Sequence, residues 1–292
     1  MEPITIISLN TAGSRFGGVE SFLLEQSPYQ GGDTDYPYMN NAIYCFQEVI
    51  ASYAPNTLPD FLGRKIPYYS KQGEQCNYES ITKTLTRYIH HFSAHEDFLG
   101  TWAPDGNMIS LKYLSDFEQQ FGRFCFGSQV IFSLAPKGKN VTLQWMVLGA
   151  DETDSFKKGF DAFLQPSFLV ANVHGIWENS IKTDTAMKLF QSERIIQYMR
   201  YLKFRFPYAK QILCGDFNLI PETESIKRIE QAGFINLVKE YHIMSTRTPH
   251  YAKEIKHADY IFEEPGITVH SFKTMSDVVS DHAPLQLTFT IP

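Results

Sequence analysis

Polar side chains that could do chemistry collect at the ends of apolar runs in this 292-residue sequence. Residues 212–219, ILCGDFNL, show the pattern, because an apolar run stops at Gly215 and then presents Asp216 and Asn218. Each such residue alone fits a turn, a cap or a structural histidine. Their repetition at six predicted strand ends indicates one shared site. The set comprises Asn10, Glu48, Asn172, His174, Asp216, Asn218, Asp259, Asp281 and His282.

Strand alternation predicts how two pairs in this set are oriented. Residues i and i+2 of a strand share a face, so Asn172 and His174 should point the same way. If the chain stays extended beyond Gly215, Asp216 and Asn218 should also share a face, with the intervening Phe217 turned back into the core. The two pairs would then form one polar rim where the strands end.

Carboxylates and carboxamides without cysteine ligands suit a hard divalent cation, Mg²⁺ or Mn²⁺. Hydrolysis of a phosphate ester needs a polarised nonbridging oxygen, a water placed in line, and relief of charge on the leaving oxygen. A cation on Glu48 would supply the first requirement. Asp216, held by Asn218, could orient and deprotonate the water, and an Asp259–His282 pair could hold a charged imidazole against the phosphate.

The elements that must position these residues are mostly strands. Two helices are predicted over residues 79–92 and 186–204, the second capped by Asp184 or Thr185, and a third runs over 224–232 and ends at Gly233. Strands with interspersed helices indicate an α/β or α+β layering. The strand-like runs are 4–9, 42–46, 107–113, 129–134, 141–148, 167–173, 211–215, 257–262, 267–272 and 285–291.

Composition and charge narrow the function classes. A formal net charge of −6 argues against a protein that coats duplex nucleic acid, which is usually basic. The sequence has no Cys/His spacing typical of a zinc site. We therefore predict reduced core thiols at all four cysteines, Cys45, Cys76, Cys125 and Cys214. No signal segment or membrane-spanning run is evident, so we expect a cytoplasmic monomer with one domain over residues 1–292.

At these residues the sequence resembles the endonuclease/exonuclease/phosphatase superfamily, which has the deoxyribonuclease-I-like fold. The resemblance implies an α/β (α+β) fold, a four-layer sandwich of two packed mixed β-sheets flanked by helices. It also implies a divalent-metal-dependent phosphoesterase. The matching pieces are SLN (8–10), QE (47–48), GNMIS (106–110), NVHG (172–175), GDFN (215–218), ADYIF (258–262) and SDH (280–282).

The resemblance also implies a role for each matching position. Glu48 looks like the main metal ligand, with Asn10 and Asp281 as accessory ligands or water-mediated partners. Asp216 and Asn218 match the pair that positions the attacking water and the phosphate. His174 matches a histidine that contacts the phosphate or leaving group, and Asp259 and His282 match the paired carboxylate and imidazole. Some members carry an acidic residue where this chain has Ala12.

Variable segments should select the substrate, because the fold does not. The predicted substrate contacts are Asn172, Lys182 in the loop 182–185, and Arg247 and Lys253 in the stretch 245–257. The stretch 14–41 is a third variable segment. Trp102 and Trp177 could stack on bases, although such aromatic residues more often pack in the core or at its rim.

Three functions remain open from the sequence. The favoured one is a phosphodiesterase that acts as a nuclease on single strands or nucleic-acid ends. The second is a phosphomonoesterase or small-molecule phosphodiesterase of the inositol- or lipid-phosphate type. The third is an inactive binding or scaffold protein that keeps the fold.

Overall fold

The computed structural model describes residues 3–12, 15–26, 42–50, 78–85, 88–94, 105–112, 124–132, 141–149, 168–178 and 181–292. Twelve strands lie within these ranges, and most of them coincide with the apolar runs of the sequence. They are β1 (Ile4–Asn10), β2 (Ala42–Ile50), β3 (Tyr88–Ala94), β4 (Asp105–Lys112), β5 (Phe124–Phe132), β6 (Val141–Leu148), β7 (Phe168–His174), β8 (Lys210–Asp216), β9 (Ile235–Asn236), β10 (Asp259–Glu263), β11 (Thr268–Thr274) and β12 (Leu285–Thr290).

The described residues also form helices, two of which match the predicted ones. The Thr185 hydroxyl caps the long helix by accepting a hydrogen bond from Lys188 N at 3.2 Å. Asp184, the other predicted cap, instead accepts hydrogen bonds from Glu224 N and Ser225 N at the start of the next helix. The helices are α1 (Val19–Gln26), α2 (Tyr78–Thr84), α3 (Ala186–Arg205), α4 (Glu224–Gln231) and α5 (Leu237–Glu240).

The helix predicted over 79–92 is correct only in its first half. The chain forms α2 and then enters β3, which pairs antiparallel with β4 from Tyr88 to Ala94. The spacing of Ile81, Leu85 and Tyr88 fits a helix face locally. Pairing with a strand that lies later in the chain overrides that local pattern, because each paired residue gains backbone hydrogen bonds.

The strands form two mixed six-stranded sheets, as predicted. The first sheet has the order β11-β12-β1-β2-β4-β3, and the second has the order β5-β6-β7-β8-β10-β9. Each sheet contains one parallel pair, β1–β2 or β7–β8, among antiparallel neighbours. The carboxyl ends of parallel strands meet at one edge of a sheet, so each pair brings two strand ends together.

The two sheets are covered on both sides, which gives the predicted layers. Ile4 and Ile6 of β1 join a buried cluster that spans both sheets. Phe168 of β7 meets Phe289 of β12 edge-on, with the ring centroids 5.4 Å apart. Ile7 on the other face of β1 packs against Phe22 of α1. Helices α3 and α4 contribute their apolar faces to the cluster of the second sheet. Helices therefore flank the packed sheets.

The prediction of reduced core thiols is confirmed for two of the cysteines. Cys45 and Cys214 are free and buried, and Cys125 is free and partly buried. Cys76 lies outside the described residues. Among the helices of the described residues, none combines the length and apolar character needed to cross a membrane.

Candidate active site

An asparagine side chain connects the two sheets at the edge where the parallel pairs end. Asn10, the last residue of β1, donates from Nδ2 to Glu48 Oε1 at 3.1 Å and to Asp216 Oδ2 at 3.0 Å. Asn10 is fully buried, so these bonds replace water around its amide. The Asn10 amide therefore holds two carboxylates from different sheets next to each other.

An irregularity in β2 positions Glu48. The register between β2 and β4 shifts between Phe46 and Val49, which marks a β-bulge. Glu48 has a φ of 53°, in the left-handed region that residues with a side chain rarely adopt. Thr11 Oγ1 donates to Glu48 O at 2.8 Å and secures this backbone. Such strain costs about 1–3 kcal/mol and often marks a functional position.

The GDFN segment turns instead of continuing as a strand. Asn218 has a φ of 55°, and its backbone N–H donates to Asp216 Oδ1 at 2.8 Å. The Asn218 side chain donates to Gly175 O at 3.1 Å. The strand therefore ends at Asp216, one residue beyond Gly215, and Asp216 and Asn218 do not share a strand face. The predicted burial of Phe217 is confirmed, because its ring is fully buried.

Two glycines allow β7 and β8 to approach as closely as this turn requires. A Cβ on Gly215, which has a φ of 135°, would lie 1.9 Å from Val173 O. A Cβ on Gly175 would lie 2.7 Å from Phe217 O. Both distances are shorter than a carbon–oxygen contact permits, so a side chain at either position would push the two strand ends apart.

The imidazole of His174 lies beside both carboxylates that Asn10 connects. His174 Nε2 is 3.5 Å from Glu48 Oε1 and 3.9 Å from Asp216 Oδ2. The sequence alone could not identify an acidic neighbour for this histidine. It has two of them, and they come from opposite sheets.

Asp259 and His282 form the predicted carboxylate–imidazole pair. His282 Nδ1 lies 2.8 Å from Asp259 Oδ1, and the Thr246 hydroxyl donates to Asp259 Oδ2 at 3.0 Å. The other ring nitrogen, Nε2, lies 3.7 Å from Asp216 Oδ2. Burial would lower the pKa of His282, but the charges of Asp259 and Asp216 raise it above its ordinary value. The raised pKa favours the protonated imidazole, with Nε2 facing Asp216.

Asp216 is the electrostatic centre of the cluster. It is 1% exposed, and burial would raise the pKa of its carboxyl group. The neighbouring charges of His282, Lys182 and His174 outweigh burial and hold that pKa below its usual range. Asp216 is therefore ionised at neutral pH and can accept hydrogen bonds from a ligand.

Asp281, paired with Arg247, lies near the same ring nitrogen of His282 that faces Asp216. Arg247 Nη1 donates to Asp281 Oδ2 at 3.3 Å, and Asp281 Oδ1 is 3.9 Å from His282 Nε2. The Arg247 guanidinium also lies 4.2 Å from the ring centroid of Tyr251. A predicted metal ligand and a predicted substrate contact thus belong to the same cluster.

Two buried lysines hold Asn218 from different directions. Lys182 donates to Asn218 Oδ1, and burial lowers the pKa of its ammonium group. Lys188, which the sequence analysis missed, is fully buried and donates to Ile181 O and, at 3.0 Å, to Asn218 O. Burial and the charge of Lys182 lower the pKa of Lys188 to about 8. The sequence offered one signal for Lys188: its spacing from Ile195 along the helix places both residues on the same buried face.

The remaining predicted substrate contacts lie apart from this cluster. Asn172 is fully buried, accepts a hydrogen bond from Gln47 Nε2 at 2.7 Å and donates to Phe46 O at 2.9 Å. This placement corrects the expectation, because it favours a bond between the sheets over contact with substrate. Lys253 is exposed on the segment before β10, and its substrate contact stays a prediction. Trp102 and residues 27–41 lie outside the described residues.

The donor atoms of the cluster fit a hard divalent cation. Glu48, His174 and Asp216 offer ligand atoms within 4.8 Å of one another. Asp259 forms a second such group with Asp216 and His282, but its oxygens already pair with His282 and Thr246. The first group is therefore the better site for Mg²⁺ or Mn²⁺.

Asn10 differs from a direct ligand in one respect. Its Oδ1 accepts a hydrogen bond from Ala12 N at 2.9 Å, so its NH₂ group faces the carboxylates. In this orientation Asn10 binds the residues that would hold the cation. A ligand role through its oxygen stays a prediction.

Comparison with known proteins shows which fold this chain has. No family model matches the sequence, and no curated protein matches it. Solved structures do match over nearly the whole chain. An endonuclease/exonuclease/phosphatase from Bacteroides vulgatus has 11% sequence identity and a TM-score of 0.61, and the match covers 100% of each chain.

Two further matching structures are of a protein with a named activity and of a protein with a bound ligand. Mannosyl-6-phosphatase from Bacteroides thetaiotaomicron has 14% identity and a TM-score of 0.60, with 99% of this chain and 100% of that chain covered. D. rerio TDP2, complexed with a single-stranded DNA product, has 14% identity and a TM-score of 0.59 over the same shares. The chain therefore has the endonuclease/exonuclease/phosphatase fold that the sequence resemblance implied.

Proposed function

We propose that this chain is a divalent-metal-dependent phosphoesterase that hydrolyses phosphodiester bonds, and that it acts as a nuclease on single strands or nucleic-acid ends. One observation carries the proposal. Glu48 and Asp216, from different sheets, share the Asn10 amide, and the Asp259–His282 pair faces Asp216. Turns and caps do not require such convergence.

The carboxylates of Glu48 and Asp216 would hold Mg²⁺ or Mn²⁺, with Asp281 as an accessory group. The cation would polarise a nonbridging phosphate oxygen. Asp216 accepts a hydrogen bond from the attacking water and orients it toward phosphorus. Its lowered pKa makes it a weak base, so orientation is its main contribution.

His282 and His174 stabilise the charge that develops during attack. The raised pKa of His282 favours a protonated ring, and the bond to Asp259 keeps Nε2 directed to the centre. His282 Nε2–H donates to a phosphate oxygen as negative charge accumulates. His174 lies on the Glu48 side, where it can donate to the leaving oxygen. Lys182 keeps the Asn218 amide in one orientation for the phosphate.

An exposed aromatic residue supports a strand as substrate. Trp177, three residues beyond His174, is 62% exposed. Exposed aromatic rings near a phosphate site bind the bases of single strands irrespective of sequence. Trp177 therefore favours a nucleic acid over an isolated phosphate group.

A pocket next to Arg247 supports the phosphomonoesterase alternative. Its volume is about 470 Å³, and Arg247, Thr248, Ser276 and Asp277 contribute polar groups to its lining. This volume suits a small head group such as a sugar or inositol phosphate. The pocket contains both donors and an acceptor, which the hydroxyl groups of such a ligand require.

Turnover of a substrate panel tests the proposal. Single-stranded DNA, RNA, bis-p-nitrophenyl phosphate and inositol phosphates are incubated with Mg²⁺, with and without EDTA. We expect cleavage of a nucleic acid that EDTA abolishes. Release of phosphate only from sugars or inositols would replace the nuclease by the phosphomonoesterase.

Calorimetry distinguishes an enzyme from a scaffold. Titration of Mg²⁺ and Mn²⁺ into the wild type and into Glu48→Gln should give binding heats that the variant loses. Asp277→Asn, which changes a carboxylate in the neighbouring pocket, is the matched control and should keep the heats. Identical heats for the wild type and Glu48→Gln would mean that Glu48 holds no cation, which would favour the scaffold without a metal centre at this site.

A further inference from the structure

An aromatic pair beside the centre has no part in the chemistry described so far. Phe16 follows β1, and His250 lies three residues after Arg247. Their ring centroids are 4.6 Å apart, and their planes are inclined by 9°. Phe16 is 42% exposed, and His250 is also exposed. The pair therefore presents flat aromatic surface to solvent instead of filling the core.

The Phe16 side of the pair is anchored next to Asp281. Gly17 and Gly18 have φ values of 69° and 82°, which turn the chain back after Phe16. The Cβ position of Gly18 lies 3.5 Å from Val279 Cγ1. The turn thus packs against the segment that carries Asp281.

The His250 side is anchored to the same segment. Thr248 Oγ1 donates to Ser280 O at 2.5 Å, and Thr248 N donates to Asp281 O at 3.2 Å. His250 N donates to Thr248 Oγ1 at 3.3 Å. Both segments that carry the rings are therefore held by residues 279–281, immediately before His282.

We propose that Phe16 and His250 form a stacking subsite that binds a nucleobase adjacent to the phosphate held at Asp216 and His282. This inference rests on the proposed nuclease function and names the part of the substrate that the subsite contacts. Aromatic side chains bind bases of single strands through their flat faces, and they tolerate every base. An exposed stack whose two segments are anchored to residues 279–281 offers this chemistry.

The test measures binding of a short single-stranded oligonucleotide in the Asp216→Asn background, where turnover is suppressed. Fluorescence anisotropy gives Kd for the strand and for a matched strand with abasic residues. Phe16→Ala should raise Kd for the base-containing strand about tenfold, within the range known for base stacking. It should leave Kd for the abasic strand unchanged. Phe16→Trp should retain the affinity of the parent.

Two further variants protect the test against misfolding and nonspecific loss. His250→Ala removes the other ring and should reproduce the loss if Phe16→Ala does not fold. Phe204→Ala is the matched control, because Phe204 is 84% exposed near the end of α3. It should bind both strands like the parent.

The outcomes separate this inference from the proposed function. Equal affinity before and after removal of the rings, or equal losses for both strands, would overturn the subsite while strand cleavage by the wild type still supported the nuclease. If the protein with Asp216 intact cleaved no strand but released phosphate from small esters, the nuclease itself would be wrong, and the subsite with it.

Discussion

Asn10 and Asp216 are 206 positions apart in the chain and lie on different sheets, yet the Asn10 amide donates to the Asp216 carboxylate across 3.0 Å. The same amide donates to Glu48. This arrangement neutralises part of the repulsion between two carboxylates where no cation is bound. It makes position 10 a sensitive probe of the centre.

Asn10→Asp should destabilise the protein in EDTA and make its stability depend on metal. The variant replaces a donor by a third carboxylate, so the free energy of unfolding should fall by about 1–3 kcal/mol. Mg²⁺ should recover part of that loss, because binding to the folded state alone stabilises it. Denaturant titrations with and without Mg²⁺ measure both effects.

Asn236→Asp is the matched control for that experiment. Asn236 is buried and donates to Glu230 Oε1 at 3.0 Å, away from the centre. Its replacement should also destabilise the protein, but Mg²⁺ should recover nothing. Equal recovery in the two variants would mean that the cation does not bind beside Asn10.

Asp216→Asn and His282→Gln should each lower kcat by about 10²–10⁴. Asp216→Asn removes the charge that orients the water, and His282→Gln removes the imidazole ring that faces the phosphate. Asn has the shape of Asp, and Gln replaces the imidazole by another uncharged polar group, so circular dichroism should show a folded protein. Full activity in both variants would contradict the site described here.

The stability of the fold should depend on pH through His282. Its pKa is raised in the folded protein, so the interaction stabilises fully below the unfolded value of about 6.5. This contribution is lost as pH rises through the folded pKa. In EDTA, the free energy of unfolding of the wild type should fall from about pH 6.5 into the alkaline range.

Two variants assign that pH dependence. His282→Gln removes the titrating ring, and Asp259→Asn removes the charge that raises its pKa most. The decline should be smaller in both variants than in the wild type, as denaturant titrations at several pH values would show. A decline as steep in both variants would assign it to other groups.

Lys188→Met should lower kcat by about tenfold, because loss of its bonds to Ile181 O and Asn218 O loosens the turn after Asp216. KM should change less, since the ammonium is buried behind that turn. Lys188→Arg should restore most of the rate by donating to the same carbonyls. Steady-state kinetics at saturating Mg²⁺ measure these effects.

Lys203→Met is the matched control on the same helix. Lys203 Nζ donates to Ala209 O at 3.0 Å, at the opposite end of α3. This variant should lose stability and keep kcat. A similar fall in kcat would indicate that damage to α3 in general, and not the position of Asn218, reduces turnover.

The sequence predicted the convergence of residues that chemistry alone selects. Glu48, Asp216, Asp281 and His282 are polar residues at the ends of apolar runs, and the fold brings them together. The apolar runs themselves predicted the strands, because each sheet is covered on both faces and its strands need continuous apolar residues. Motif order and strand pattern thus carried most of the fold.

The sequence failed where a distant contact decides the conformation. Nothing near Tyr88 indicates that it pairs with β4, and nothing near Glu48 indicates a bulge. Asn172 has the right type for substrate binding but is used between the sheets. Lys188 resembles an ordinary helix lysine until its buried partners are known. Each failure concerns a partner distant in the sequence.

Because its backbone is left-handed, position 48 is one where thermal resistance and catalytic activity favour different residues. Glycine adopts this conformation without steric cost, so Glu48→Gly relaxes the chain and removes the carboxylate together. A library of this gene screened only for survival of heating should accumulate glycine there. The surviving clones would resist heat but lack activity. A screen for thermostable variants must therefore also measure product formation.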